Sequence, residues 1–392
     1  MSVEIVQETE KFQTNEIATI SIAHGVHDTY SAFLPTLLPL LIEKFSLTNT
    51  LAGMLSFVYQ IPSILQPLIG HLADHSNLRY LIILMPSVTA AMMSMLGIAP
   101  NQGFLIFLLL MAGLSSASLH AVGPVFTSAL AGTRIGRSTG FWMVGGELGR
   151  ALGPIVIVTA LGFMTIEQLP WLMLGGIFTS LFLFFKFRTF EAQAQKPVTK
   201  LNWAGATANM WPIMIPIALL LFTRSMMTAA LTTFLPVYMT DAGSSLWLAG
   251  VSLSIMEVAG IIGAFLSGTL SDTLGRRKIL LISAAITPIC MFLFILSSNF
   301  WQIFLLILLG FFGISVTPVI MAVVLESFPE RRALANGLYM FFFFVMNGLS
   351  LFLVGRLGDT IGLRNTYFIS AGLIPLGLPV IAFLPKSIKR QK

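Results

Sequence analysis

From residue 17 to residue 384 the chain is a succession of long apolar stretches with little polar sequence between them. They fall at 17–42, 50–73, 79–99, 103–131, 138–163, 168–187, 211–239, 247–271, 278–298, 301–326, 334–357 and 365–384. Each has the ~20 residues that a helix needs to cross a hydrocarbon core. A helix satisfies its own backbone N–H and C=O groups, which lipid cannot do for it. Composition agrees: 56% of residues are hydrophobic and 10% are charged, against about 25% charged in soluble domains. The expected fold class is all-α integral membrane, with twelve transmembrane helices. The single cysteine, Cys290, lies in an apolar stretch and reads as a small buried hydrophobe.

The connections are short except for one polar segment after the sixth stretch. It divides the chain into a tail (1–16), a six-helix bundle (17–187), a linker (188–210), a second six-helix bundle (211–384) and a closing tail (385–392). The tail MSVEIVQETEKFQTNE is polar and no A-x-A-like cleavage site follows, so it reads as uncleaved and cytoplasmic. With the N-terminus inside, 17 of the 22 Lys and Arg fall in cytoplasmic segments, 3 outside and 2 within spans. Basic loops stay on the cytoplasmic side, so both termini are expected there, in the cell's inner membrane. The net charge of +6 is spread over these loops and points to orientation rather than to nucleic acid.

The two halves repeat one another. PLIGHLADHSNLRYLIIL from Pro67 and FLSGTLSDTLGRRKILLI from Phe265 align at a shift of 198 residues, pairing Gly70 with Gly268, Asp74 with Asp272 and Arg79 with Arg277. FLP recurs at 33–35 and 234–236, and LAG at 51–53 and 248–250. Parallel repeats of this kind build transporters whose site lies between the halves, near the bilayer midplane.

GHLADHSNLR after the second stretch, GTLSDTLGRR after the eighth and GGELGRALGP in the fifth carry a resemblance. The chain resembles the major facilitator superfamily. HGVHDTY, YQIPSILQPLIGHLAD, GLSSASLHAVG, VGGELGRALGP and LESFPERRALANGL make it similar to the fosmidomycin-resistance type of efflux protein within that superfamily. The resemblance implies proton-driven export of small anionic or amphiphilic compounds by alternating access between two pseudo-symmetric bundles. This chain departs from that pattern in two places. His120 is followed by Ala121 and Val122 rather than by Pro and an acid, and Glu147 and Arg150 stand where a neutral and a small residue are usual.

Ionisable groups inside spans cost roughly 2.5–3.5 kcal/mol each on insertion scales, so those present are functional candidates. His24, His27, Asp28 and Ser31 share one helix face at i, i+3, i+4 and i+7. That face is expected to line a central cavity. Histidine titrates around 6.5 unperturbed, so Asp28 with His24 and His27 reads as a proton-coupling cluster. Glu257 in the eighth span is a second candidate acid. Arg224 in the seventh span offers a fork of donors to an anionic substrate. His120, Tyr30, Tyr59, Trp142, Glu147 and Arg150 are further candidate substrate contacts. Tyr238 and Tyr339 are aromatics that an amphiphile pocket could use. Gly145, Gly146, Gly149 and Gly153 allow close helix approach in the fifth span. At the cytoplasmic ends Asp74, Arg79, Asp272, Arg276, Arg277, Glu326 and Arg331 read as gate latches that break and re-form.

There is no HExxH, no GxxxxGK[ST] and no nucleophile–base pair in a loop, so enzymatic chemistry is not expected. No cofactor and no resident metal is expected, and no CxxC pair exists. The expected partners are a small-molecule substrate, protons and lipid, with the chain acting as a monomer. An importer of an organic anion is the alternative with the same architecture.

Overall fold

A computed structural model describes residues 12–66, 68–69, 79–132, 134–188, 210–328 and 332–384, and no β-strand occurs among them. The first half forms α1 (Thr14–Ser31), α2 (Phe33–Phe45), α3 (Asn49–Gln60), α4 (Arg79–Ser94), α5 (Gln102–Ala129), α6 (Ile135–Leu161) and α7 (Met173–Phe187). The second forms α8 (Trp211–Thr232), α9 (Leu235–Asp241), α10 (Leu246–Leu274), α11 (Arg276–Leu296) and α12 (Asn299–Leu308). It continues through a π-helical turn, Leu309–Ile314, into α13 (Thr317–Ser327), α14 (Arg332–Ile361), α15 (Leu363–Leu373) and α16 (Gly377–Phe383). Both tails, most of the linker, Asp74 and Arg331 lie outside the described residues, as does the copy of the repeat at 70–78.

Two apolar stretches read as continuous helices are broken instead. The first splits into α1 and α2, and the seventh into α8 and α9. Both breaks fall at the repeated FLP. A proline has no N–H to give to the carbonyl four residues back. For Pro35 that carbonyl belongs to Ser31, and for Pro236 to Thr232, which are the last residues of α1 and α8.

Ten helical segments among the described residues are long and apolar enough to cross a membrane. Large apolar side chains stand exposed on them, among them Phe265, at 76%, with Phe178 and Phe185. Such a surface is adapted to an apolar solvent.

The chain divides into two compact units. One holds residues 1–33 with 61–198, the other 34–60 with 199–392. In the first, α1 runs against α6, and α4 packs on α5 and α7. Its core gathers Ile17, Ile20, Leu119, Val122, Phe126 and Phe187. In the second, α8 packs on α14, which also carries α3. Met214, Ile217, Val319, Ile320, Val324 and Tyr339 centre that core. Cys290 is buried in α11.

Candidate functional site

The α1–α6 contact positions the polar face of α1. A Cβ on Gly145 would strike the carbonyl of Ser21, one on Gly149 the carbonyl of Gly25, and one on Gly153 the Cβ of Ala32. Gly146 lies opposite His24 and Asp28, and a Cβ there would stand 2.7 Å from His24 Nε2. Only a helix with glycine at these places lets α1 come this close. The consequence is burial: His27 is 0% exposed, and His24 and Asp28 are 4% exposed. This face packs against α4, α5 and α6 within the first unit, and Ser31 donates to the His27 carbonyl of its own helix. The group with access is His120 on α5, whose side chain is 34% exposed.

Hydrogen bonds fix which ring nitrogens carry protons. His24 Nδ1 donates to the Trp142 carbonyl at 2.9 Å, and His120 Nδ1 donates to the Ser116 carbonyl at 2.9 Å. A carbonyl only accepts, so in the neutral rings both Nε2 atoms present lone pairs. These two Nε2 atoms lie 3.2 Å apart. Asp28 Oδ2 faces both, at 3.3 Å from His24 and 3.7 Å from His120. Three lone-pair atoms converge, and a cation between them removes the repulsion. One proton shared by the two rings supplies +1 against the −1 of Asp28. The Trp142 ring stacks on His24 with centroids 3.7 Å apart and holds that ring's plane.

The other carboxylate oxygen has its own partner. His27 Nδ1 lies 2.8 Å from Asp28 Oδ1, and His27 Nε2 lies 2.8 Å from Thr89 Oγ1. Thr89 Oγ1 is 2.8 Å from Ser115 Oγ, which reaches the Met85 carbonyl at 3.0 Å. Thr89 donates to Ser115 and Ser115 to the Met85 carbonyl, so the Thr89 oxygen is left to accept from His27 Nε2–H.

In the second unit Arg224 of α8 donates to the carbonyl of Gly313, inside the π-helical turn. A π-turn displaces carbonyls from the regular ladder, and such turns recur at functional sites. Tyr339 of α14 is 1% exposed, and its hydroxyl has no hydrogen-bond partner among the described residues. Glu257 is half-buried on α10 and Tyr59 half-buried on α3. Tyr30 donates its hydroxyl to the Leu172 carbonyl at 2.5 Å, and Tyr238 stacks on Tyr367 at 4.4 Å. Glu147 and Arg150 pair with each other on a half-exposed face of α6.

Arg276 pairs with Asp272 and, at 2.7 Å, with Glu326. Arg277 donates to the carbonyls of Ile381, at 3.1 Å, and Ala382. These partners all lie in the second half of the chain. Arg79 lies over the Tyr80 ring at 5.0 Å.

Several contributors escaped the sequence. Thr89 and Ser115 look like ordinary small polar residues in apolar helices, and nothing local marks them. The Gly313 carbonyl is a backbone group, hinted at only by GFFG followed by Thr317-Pro318. Asp359, in GDT near the end of α14, accepts the backbone N–H of Asn49 at 2.7 Å and of Thr50 at 2.9 Å, and the Thr50 hydroxyl at 2.5 Å. It caps the N-terminus of α3 from some 300 residues away.

Helices of membrane length with charged groups held inside their packing are the features of a membrane transporter. The profile of the Major Facilitator Superfamily matches residues 20–350 and 253–391, and the chain belongs to that superfamily of transporters, which are not enzymes. It is 26% identical over 378 residues to the fosmidomycin resistance protein of Escherichia coli strain K12, covering 94% of this chain and 92% of that one. It is 28% identical over 395 residues to the uncharacterized MFS-type transporter YfnC of Bacillus subtilis strain 168, covering 95% and 93%. Among solved structures, a bacterial homologue of the human lysosomal transporter Spinster, inward-facing and occupied, superposes with a TM-score of 0.79. There the identity is 13%, and 96% of this chain and 97% of that one are covered. The chain is thus a multi-pass membrane transporter resembling the fosmidomycin-resistance type.

Proposed function

We propose that this chain is a proton-coupled antiporter that exports small anionic or amphiphilic compounds by alternating access. The observation that carries the reading is the buried meeting of one carboxylate with three imidazoles, Asp28 with His24, His27 and His120. With its proton the cluster is charge-balanced and packs tightly. Without it, Asp28 and two lone pairs oppose one another, which favours a state with His120 withdrawn from Asp28. A proton thereby biases a two-state element. Arg224 bonds a backbone carbonyl and offers a fork of cationic donors, so it is the anchor for an anionic group. Glu257 is the second acid available for coupling.

The same reading takes 17–187 and 211–384 as matching six-helix bundles joined by 188–210, with twelve spans and both termini cytoplasmic in the inner membrane. The basic loops and the ten membrane-length helices support it. Arg276 with Asp272 and Glu326 forms one latch of the inner gate, and Arg79, Arg277, Asp74 and Arg331 complete the set. The transporter works as a monomer.

The test is flux in proteoliposomes under an imposed pH gradient, with small anions and amphiphiles as probes and fosmidomycin among them. Uptake driven by a proton gradient of opposite direction supports antiport. Uptake running with the protons instead supports the importer of an organic anion. Flux indifferent to the gradient, or undiminished in Asp28→Asn, sinks the coupling role.

A further inference from the structure

The geometry points to a binding site for a divalent transition-metal ion of the Zn²⁺ class in the first unit, formed by His24 Nε2, Asp28 Oδ2 and His120 Nε2. The inference stands on ligand geometry and holds whatever the direction or cargo of transport.

The three atoms make a triangle with sides of 3.2, 3.3 and 3.7 Å. A tetrahedral ion bonded at about 2.0–2.1 Å to nitrogen and oxygen holds its ligands about 3.3 Å apart. The triangle therefore accepts such an ion after movements of a few tenths of an ångström. All three atoms lie within 4.8 Å of one another, and no other such group occurs among the described residues.

The lone pairs already aim at this point. Each imidazole spends its Nδ1–H on a backbone carbonyl, that of Trp142 or of Ser116, which fixes Nε2 as the free donor atom. Asp28 Oδ1 is held by His27 Nδ1, leaving Oδ2 for the ion. Every ligand thus has the outer hydrogen bond that orients metal ligands in proteins. The stacked Trp142 ring and Gly146 fix the His24 plane.

Two imidazoles and one carboxylate favour Zn²⁺, Co²⁺, Ni²⁺ or Cu²⁺ over Mg²⁺ and Ca²⁺, which prefer all-oxygen shells. Three protein ligands leave a fourth position for water or another donor. The partly exposed His120 side chain gives the ion a way in. The charged groups on the helices packed around the site are few. On α6, Arg150 is paired with Glu147 and Arg137 lies over the Phe12 ring. Arg79 sits ten residues before Thr89 on α4, and Lys186 on α7 engages Thr19. Bound there, the ion takes the lone pairs that a coupling proton uses. On the reading above, it is therefore an inhibitor of transport.

The experiment uses the full chain without an affinity tag, purified in detergent and stripped with chelator. Zn²⁺ binding is followed by titration calorimetry, and Co²⁺ binding by visible absorption. The expected result is one equivalent of Zn²⁺ bound at micromolar or tighter affinity, with the intense visible band of four-coordinate Co²⁺. His24→Ala and His120→Ala each weaken binding at least ~10-fold and remove the band. His120→Asn, at the partly exposed position, is the second variant should His24→Ala fail to fold. His71→Ala combined with His75→Ala removes the two of the five histidines that lie outside the cluster of His24, His27 and His120, and leaves binding intact. No saturable Zn²⁺ binding below ~1 mM overturns the proposal. So does binding that survives loss of His120 or disappears with His71 and His75. Because binding is read without flux, a failed transport assay leaves this inference standing, and a failed titration leaves the transporter reading standing.

Discussion

Gly146→Ala perturbs the cluster without removing any of its polar atoms. The added methyl carbon would stand 2.7 Å from His24 Nε2 and 2.9 Å from Asp28 Oδ2, short of ordinary 3.4 Å contact by 0.7 and 0.5 Å. Both side chains are fully packed, and His24 lies under Trp142, so the displacement cannot be shed into open space. Overpacking of this size costs about 1–3 kcal/mol. For a bundle of this length that lowers the melting temperature by roughly 2–12 °C, at ~2–4 °C per kcal/mol. The contacts at 3.2 and 3.3 Å that gather His24, His120 and Asp28 stretch past hydrogen-bond range.

The control is Gly140→Ala on the same helix, where a Cβ meets nothing within 4 Å. There alanine's helix preference adds up to ~1 kcal/mol. Thermal unfolding followed by tryptophan fluorescence compares the two variants, and pH-gradient-driven flux is measured on both. Gly146→Ala is expected to melt lower and lose coupled flux, while Gly140→Ala keeps both. Identical melts and identical flux in the two variants refute the packing argument and the role built on it.

Arg224→Ala is expected to weaken binding of anionic probes at least ~10-fold while sparing neutral ones, since only the charge-assisted contact is lost; equilibrium binding to purified protein checks this. Asp359→Ala removes the acceptor for two backbone N–H groups of α3 and costs about 1 kcal/mol, with faster amide exchange confined to the first turn of α3 as the readout. Glu326→Gln breaks a pair whose carboxylate is half-exposed, so stability changes by less than ~1 kcal/mol. Turnover should nevertheless shift if the pair latches a gate, and unchanged turnover removes Glu326 from that role.

Helix placement was legible because its signal is strong and local. Sequence boundaries at 103–131, 247–271 and 365–384 lie within a few residues of α5, α10 and the α15–α16 segment. A lipid solvent demands a long apolar run for every spanning helix, which closes its backbone hydrogen bonds within the run. The breaks at Pro35 and Pro236 were legible in principle, since FLP is printed twice. Uninterrupted hydrophobicity hid them, because a lipid-facing helix and a broken one share the same composition.

The sequence by itself determined that this chain lives in lipid and is helical, and it carries one signature twice, from Pro67 and from Phe265. It also named Asp28, His24, His27 and His120 as groups that need a reason to be there. It could not decide that His120, 92 positions beyond Asp28, meets that carboxylate. Nor could it show that His27 bonds Thr89, which bonds Ser115, or that Asp359 holds the start of α3. Those are pairings between helices, set by where glycines let backbones touch and by which carbonyls claim each ring's N–H. Apolar periodicity says which residues face lipid. The register of one helix against another is fixed only when side-chain volumes and donor–acceptor geometry are satisfied together.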